Sequence, residues 1–128
     1  MYRIGVVALF PQLVAPVTEV GVVGRACERG LVTVSYASPR DHASDRHHTV
    51  ADRPYGGGPG MVLKLEPLRA AVRELRHTLP AGARELVLSA QGRPFDQALA
   101  RELAAAPGML VVPGRYEGID ERIIESEV

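Results

Sequence analysis

The sequence predicts a single α/β domain, a mostly parallel sheet flanked by helices, and three observations predict it. Short, near-continuous apolar runs recur, as strands covered on both faces require. Amphipathic helical patterns fall between those runs. No repeat or low-complexity linker interrupts the alternation, which is the signature of strands and helices laid into one layered unit. At 128 residues the chain has the length of one domain, enough for a core without disulfides or metals.

The first strand is expected over residues 3–9, RIGVVAL, and the second over residues 31–36, LVTVSY. Gly30, just before the second, reads as a helix stop, so Cys27 is expected half-buried on a helix that ends there. Two further strands are predicted over residues 85–89, ELVLS, and 109–112, MLVV. Between them, Glu66-Pro67-Leu68 opens a helix with proline in its first turn. Its apolar stripe is Leu68, Ala71, Val72, Leu75 and Leu79, with Arg69, Arg73, Glu74 and Arg76 outside, and Pro80-Ala81-Gly82 ends it. Asp96 caps a second helix carrying Leu99 and Leu103, stopped by Pro107-Gly108. A third helix is expected to start near Ile119 and still be running at Val128. The one long irregular segment is residues 38–60, and loops of that length in small domains usually carry function.

Composition excludes several classes. Lysine plus arginine and aspartate plus glutamate number 15 each, so no global basic field exists and an anionic partner must meet a local patch. The single cysteine, Cys27, excludes an internal disulfide and a multi-cysteine zinc site. The N-terminus has no charged lead-in followed by an apolar core, and no apolar run reaches the ~18 residues of a membrane span. The expected compartment is cytoplasmic, with no membrane partner.

In a parallel sheet, ligands sit at the carboxyl ends of the strands. Two strands here run into unusual loops: SAQGRP at residues 89–94, after Leu88, and PGRYEGID at residues 113–120, after Val112. Tyr116 offers an aromatic face for a purine, and Glu117 a carboxylate that could meet a proton, a metal or a ribose hydroxyl. Taken singly, Gly92 and Gly118 are also ordinary turn residues, and Arg93 and Arg115 ordinary surface charges. Two such loops on successive strands point to a nucleotide-like ligand.

The glycine-rich PYGGGPGM at residues 54–61 lacks the lysine–hydroxyl pair of a P-loop, and Pro54 and Pro59 remove two amides that could bind phosphate. That argues against a phosphate-binding hydrolase. The stretch before it, Asp45 to Arg53, mixes arginines and histidines with carboxylates. Two readings stand for it: a surface that meets RNA phosphates and base edges, or a solvated loop of weak ion pairs. A histidine–aspartate metal site is disfavoured, since neither cysteine nor an HxxxH helix accompanies it.

The order LFP (Leu9 to Pro11), SPRD (Ser38 to Asp41), DRHHTVADRPYGGGPGM (Asp45 to Met61), LSAQGR (Leu88 to Arg93) and GRYEGIDER (Gly114 to Arg122) resembles the bacterial tRNA (guanine-N1-)-methyltransferases. The resemblance runs from the first strand to the last residue. It implies a trefoil-knotted α/β fold of the SPOUT type, an exception to the rule that chains do not thread loops. It also implies a homodimer with active sites at the subunit interface, S-adenosylmethionine as cofactor, and methylation of guanine N1 at tRNA position 37. On that resemblance the cofactor would meet Leu88, Ser89, Ala90, Gln91, Gly92, Gly114, Tyr116, Glu117 and Gly118. The tRNA would meet Arg46, His47, Asp52, Arg53, Gly58, Pro59 and Gly60. Glu117 would assist the methyl transfer, while the principal base is expected beyond Val128. Residues 1–128 would then be the N-terminal S-adenosylmethionine-binding domain, without the family's third cofactor loop and its C-terminal tRNA-binding domain. As a separate piece, the chain could instead serve as a non-catalytic cofactor-binding or dimerisation module. Magnesium is implied by the family alone, and no ligand set in this chain marks it.

The chain departs from the family's usual pattern at four places. Ala90 stands where proline is usual, His48 where arginine or lysine is usual, and Ala51 where an aspartate precedes Asp52. Pro113 before Gly114 is also less usual and stiffens the entry to that loop.

Overall fold

A computed structural model describes residues 1–42, 51–52, 62–63, 65–88, 92–113 and 118–119. The elements run β1 (Tyr2–Val7), α1 (Pro11–Val14), a 3-10 turn (Ala15–Thr18), α2 (Gly21–Glu28) and β2 (Val32–Ala37). A second 3-10 turn (Pro39–His42), β3 (Ala51–Asp52), β4 (Val62–Leu63), α3 (Leu65–Arg76) and β5 (Arg84–Leu88) follow. The last are α4 (Gln97–Ala105), β6 (Gly108–Pro113) and β7 (Gly118–Ile119). Each apolar run of the sequence becomes a strand of one four-stranded sheet, in the order β2-β1-β6-β5 and parallel throughout.

One face of that sheet is sealed by α3. Leu68, Ala71, Val72 and Leu75 are buried against Val7, Ala37, Leu110 and Val112, and Leu79 packs on the edge of the cluster. Spacing three and four residues apart puts the four helix residues on one stripe, and alternation along β6 puts Leu110 and Val112 on the facing side. Gly5 lets the helix come close, because a Cβ there would stand 3.3 Å from both Leu75 and Leu110. The helix end is clipped to the sheet by Arg76, whose Nε and Nη2 donate to the two Glu85 carboxylate oxygens at 2.6 and 2.8 Å.

The opposite face carries α4. Its N-cap is Asp96, whose Oδ1 accepts from the Leu99 amide at 2.8 Å, and Leu99 and Leu103 turn inward. Tyr2 at the start of β1 donates its hydroxyl to the Leu103 carbonyl at 2.7 Å. Burial pushes the Tyr2 phenol above its ordinary value, with the Arg84 charge pulling the other way. Gly30 has φ +72° at the end of the turn after α2, the left-handed conformation that the sequence needed a glycine to supply. Cys27 lies half-buried on α2, as expected.

Two expectations are corrected. Residues 38–60 are not irregular throughout: Pro39–His42 forms a 3-10 turn, and Ala51–Asp52 pairs antiparallel with Val62–Leu63. The turn is local chemistry, since the Ser38 hydroxyl accepts from the Arg40 amide at 3.2 Å. Second, Ile119 does not open a helix. It lies in β7, paired with β4, because a partner strand distant in sequence satisfies its backbone. The helix expected to continue to Val128 lies outside the described residues.

Leu75 is 1% exposed, so Leu75→Ala is expected to destabilise the protein by about 2–5 kcal/mol, read as a lower denaturation midpoint with unchanged slope. Tyr2→Phe removes one hydrogen bond and is expected to cost about 1 kcal/mol. A phenol raised by folding adds stability below about pH 10, which is lost as pH rises through the folded value. Stability of Tyr2→Phe should therefore fall less steeply than wild type in alkaline denaturation curves.

Candidate functional site

The site is positioned by register. In the parallel pair of β5 and β6, Leu88 stands opposite Pro113, so both strands end at the same level. The two strand ends therefore stand one strand spacing apart, about 4.8 Å, and residues 89–91 and 114–117 follow them in the sequence. Ligands of parallel sheets are held at the carboxyl ends of the strands, and these two ends lie side by side. Leu88 is half exposed at that edge and supplies an apolar wall.

A second, three-stranded sheet has the order β3-β4-β7. β3 and β4 pair antiparallel, and residues 54–61, PYGGGPGM, lie between them in the sequence. β4 then pairs parallel with β7. Asp52 stands opposite Val62, and Val62 opposite Gly118, so one row of residues crosses three strands. Asp52, expected to face RNA, and Gly118, expected to face cofactor, are thus about 10 Å apart. Gly92 lies in a bend after β5. Of the other expected site residues, Ser89, Ala90, Gln91, Gly114, Tyr116, Glu117, Arg46, His47, Arg53, Gly58, Pro59 and Gly60 lie outside the described residues.

Arg93 takes the ordinary reading. Its Nη1 donates to Glu102 Oε2 at 2.9 Å on the exposed side of α4, a surface pair worth at most about 1 kcal/mol.

The sequence reading assigned no site residue at the carboxyl ends of β1 and β2, yet polar groups gather there. Ser38 is 6% exposed, and its hydroxyl donates to the Leu9 carbonyl at 3.1 Å, tying the two strand ends together. The Arg40 guanidinium lies 4.8 Å from the centroid of the Phe10 ring, a cation–π contact. A cleft of about 280 Å³ opens between Leu9, Pro11, Gln12, Ser38, Arg40 and Asp41. His42 Nε2 meets Glu74 Oε1 at 2.7 Å, anchoring the start of the 43–50 segment to α3. The signal that could have found this cluster was the rule already applied to β5 and β6, extended to all four strand ends. On the far face an apolar groove of about 400 Å³ runs between α4 and the sheet, lined by Leu86, Leu88, Phe95 and Met109 among others. Among the described residues no helix is long and apolar enough to cross a membrane.

Comparison with known proteins accounts for this arrangement. The family model described as tRNA (Guanine-1)-methyltransferase TrmD matches residues 2–128. A tRNA (guanine-N(1)-)-methyltransferase of Methylococcus capsulatus is 52% identical over 126 residues, covering 98% of this chain and 50% of the relative. One from Hahella chejuensis is 52% identical over 124 residues, covering 97% of this chain and 48% of the relative. The crystal structure of tRNA (m1G37) methyltransferase from Aquifex aeolicus superposes with a TM-score of 0.84 at 33% identity, covering 97% of this chain and 56% of that one. The chain spans about half the length of the curated relatives it matches. With its parallel sheet, its paired loop exits and a match from the second residue to the last, the chain belongs to the tRNA (guanine-1)-methyltransferase TrmD family.

Proposed function

We propose that residues 1–128 are the N-terminal cofactor-binding domain of a tRNA methyltransferase that methylates N1 of guanine at position 37, beside the anticodon, using S-adenosylmethionine. The observation that carries this reading is the family match over residues 2–128, joined to a register that brings the two loop exits to one sheet edge. The fold would close into the trefoil knot with residues beyond Val128, and the compartment is the cytoplasm, where tRNA is modified.

The residues present fit the cofactor. β5 and β6 end level, and Leu88 is exposed at the end of β5, so the glycine-bearing residues that follow each strand would offer backbone polar groups beside an apolar side chain. Leu88 to Gly92 and the Gly114–Gly118 loop, with Tyr116 and Glu117, would hold it. When bound, S-adenosylmethionine supplies an electrophilic methyl group. Guanine N1 must give up its proton as it gains the methyl, so the site needs a base and groups that stabilise charge on O6. Glu117 serves as the assisting carboxylate, and the principal base comes from the part of the protein after Val128.

Asp52 lies in one row with Val62 and Gly118, and PYGGGPGM lies between Asp52 and Val62 in the sequence, which supports the glycine segment as a close wall for the target base. Arg46, His47 and Arg53 would lead the RNA to it, with Gly58, Pro59 and Gly60 against the guanine. Exposed Leu13, Val17, Val20, Val22 and Val23 along α1, the first 3-10 turn and α2 form an apolar stretch of the kind subunit contacts cover, which supports the homodimer. Magnesium stays an implication of the family alone; among the described residues no group of three His, Cys, Asp or Glu side chains could hold a metal ion.

The full-length protein should transfer a labelled methyl group from S-adenosylmethionine to tRNA carrying G37. Glu117→Ala is expected to slow that transfer by about 10²-fold or more, and Tyr116→Ala to raise the cofactor concentration needed. Full-length protein inert on such tRNA would sink the reading. Calorimetry of the 128-residue chain with S-adenosylmethionine separates the alternatives. Measurable binding is expected of a cofactor domain, whereas silence at high cofactor concentration would leave a dimerisation module that needs the third loop.

A further inference from the structure

The cleft at the carboxyl ends of β1 and β2 is used by none of the roles above, and its chemistry is that of a nucleotide site. We propose that Gln12, Arg40 and Asp41 form a subsite for a single nucleotide of the RNA strand adjoining the target guanine. The inference rests on the tRNA-methylating reading and names a part of that site which the reading leaves unassigned.

Position is the first argument. β1 is hydrogen-bonded to both β2 and β6, so the cleft rises from the same edge of the sheet as the cofactor loops and one strand away from β6. Continuity is the second. The chain passes from Asp41 and His42 directly into the arginine- and histidine-bearing stretch expected to meet RNA, and His42 is held on Glu74 of α3 where that stretch begins.

The side chains provide the third argument. Arg40 is held over the Phe10 ring, which keeps a flexible cation in place and orients its planar donors. Such a guanidinium takes a phosphate in fork geometry. Asp41 can only accept hydrogen bonds, and Gln12 both donates and accepts, which matches the hydroxyls of a ribose and the amine and carbonyl edges of a base. The floor is fixed by Ser38, buried and bonded to Leu9. A volume of about 280 Å³ lies just below the ~300–1,000 Å³ typical of ligand pockets, the scale of a single nucleotide.

The test measures binding of an anticodon stem-loop RNA containing the target guanine to the full-length protein, by fluorescence anisotropy at several salt concentrations. Arg40→Gln should weaken binding about ten-fold and lower the salt slope by about 0.7, the loss of one phosphate contact on a single strand. Gln12→Ala, on an exposed helix position, should weaken binding several-fold with the slope unchanged, and it carries the test if Arg40→Gln fails to fold. Asp41→Ala gives the sharpest reading. If only charge matters, removing a carboxylate strengthens RNA binding; if the carboxylate accepts from the nucleotide, binding weakens. S-adenosylmethionine affinity should stay as in wild type throughout. Wild-type affinity in Gln12→Ala, tighter binding in Asp41→Ala, or an equal loss of cofactor binding in these variants would each overturn the subsite. Failure of the wild-type protein to bind or methylate the RNA would instead overturn the reading beneath it.

Discussion

The pairing of β6 with β1 on one side and β5 on the other is the constraint from which the rest of the molecule follows. Parallel strands cannot be joined by tight turns, so each pairing demands a crossover, and the helices are the crossovers. Gly108 begins the strand at the point where β6 meets β1. A Cβ there would stand 2.4 Å from the Arg3 carbonyl oxygen, so only glycine permits this approach. Once β6 is seated, its register sets where the two loops of the candidate site emerge, because Leu88 and Pro113 face each other across the β5–β6 pair.

Packing and polar contacts divide the work of holding that register. The buried Leu68, Leu75 and Leu110 each contribute about 1.5–3 kcal/mol by removal from water, and they bind α3 to β1 and β6 without specifying direction. Direction comes from a few polar contacts at the ends. Arg76 grips Glu85 with two parallel hydrogen bonds, and His42 meets Glu74, so α3 is joined both to β5 and to the turn after β2. These contacts are partly solvated and weaker than the core, yet they decide how the segments carrying the site enter and leave the sheet.

Much of the fold was legible in the residues, and the reason is local. The stripe from Leu68 to Leu75, the Asp96 cap and the Gly30 stop each depend on neighbours within a few positions, which spacing and side-chain chemistry record directly. The reading missed elements whose partners are far away. Ile119 looked like the start of a helix and lies in a strand, because β4, distant in sequence, pairs with it. Ala51 and Asp52 looked irregular for the same reason. The Phe10–Arg40 stack joins residues that are thirty positions apart, and only the pairing of β1 with β2 puts them together.

For the candidate site, the sequence alone determined the chemistry of the parts: the loop after Leu88, the loop holding Tyr116 and Glu117, the glycine segment, and the order that marks the family. Those features are residue types in succession, and succession is what a sequence states. Only the tertiary structure decided that Asp52, Val62 and Gly118 share one row, and that a polar cleft opens beside Arg40. The physical reason is that backbone hydrogen bonds between strands carry no side-chain signature. Which strand lies next to which is settled by the packing of the whole chain, and the juxtaposition of a binding site is settled with it.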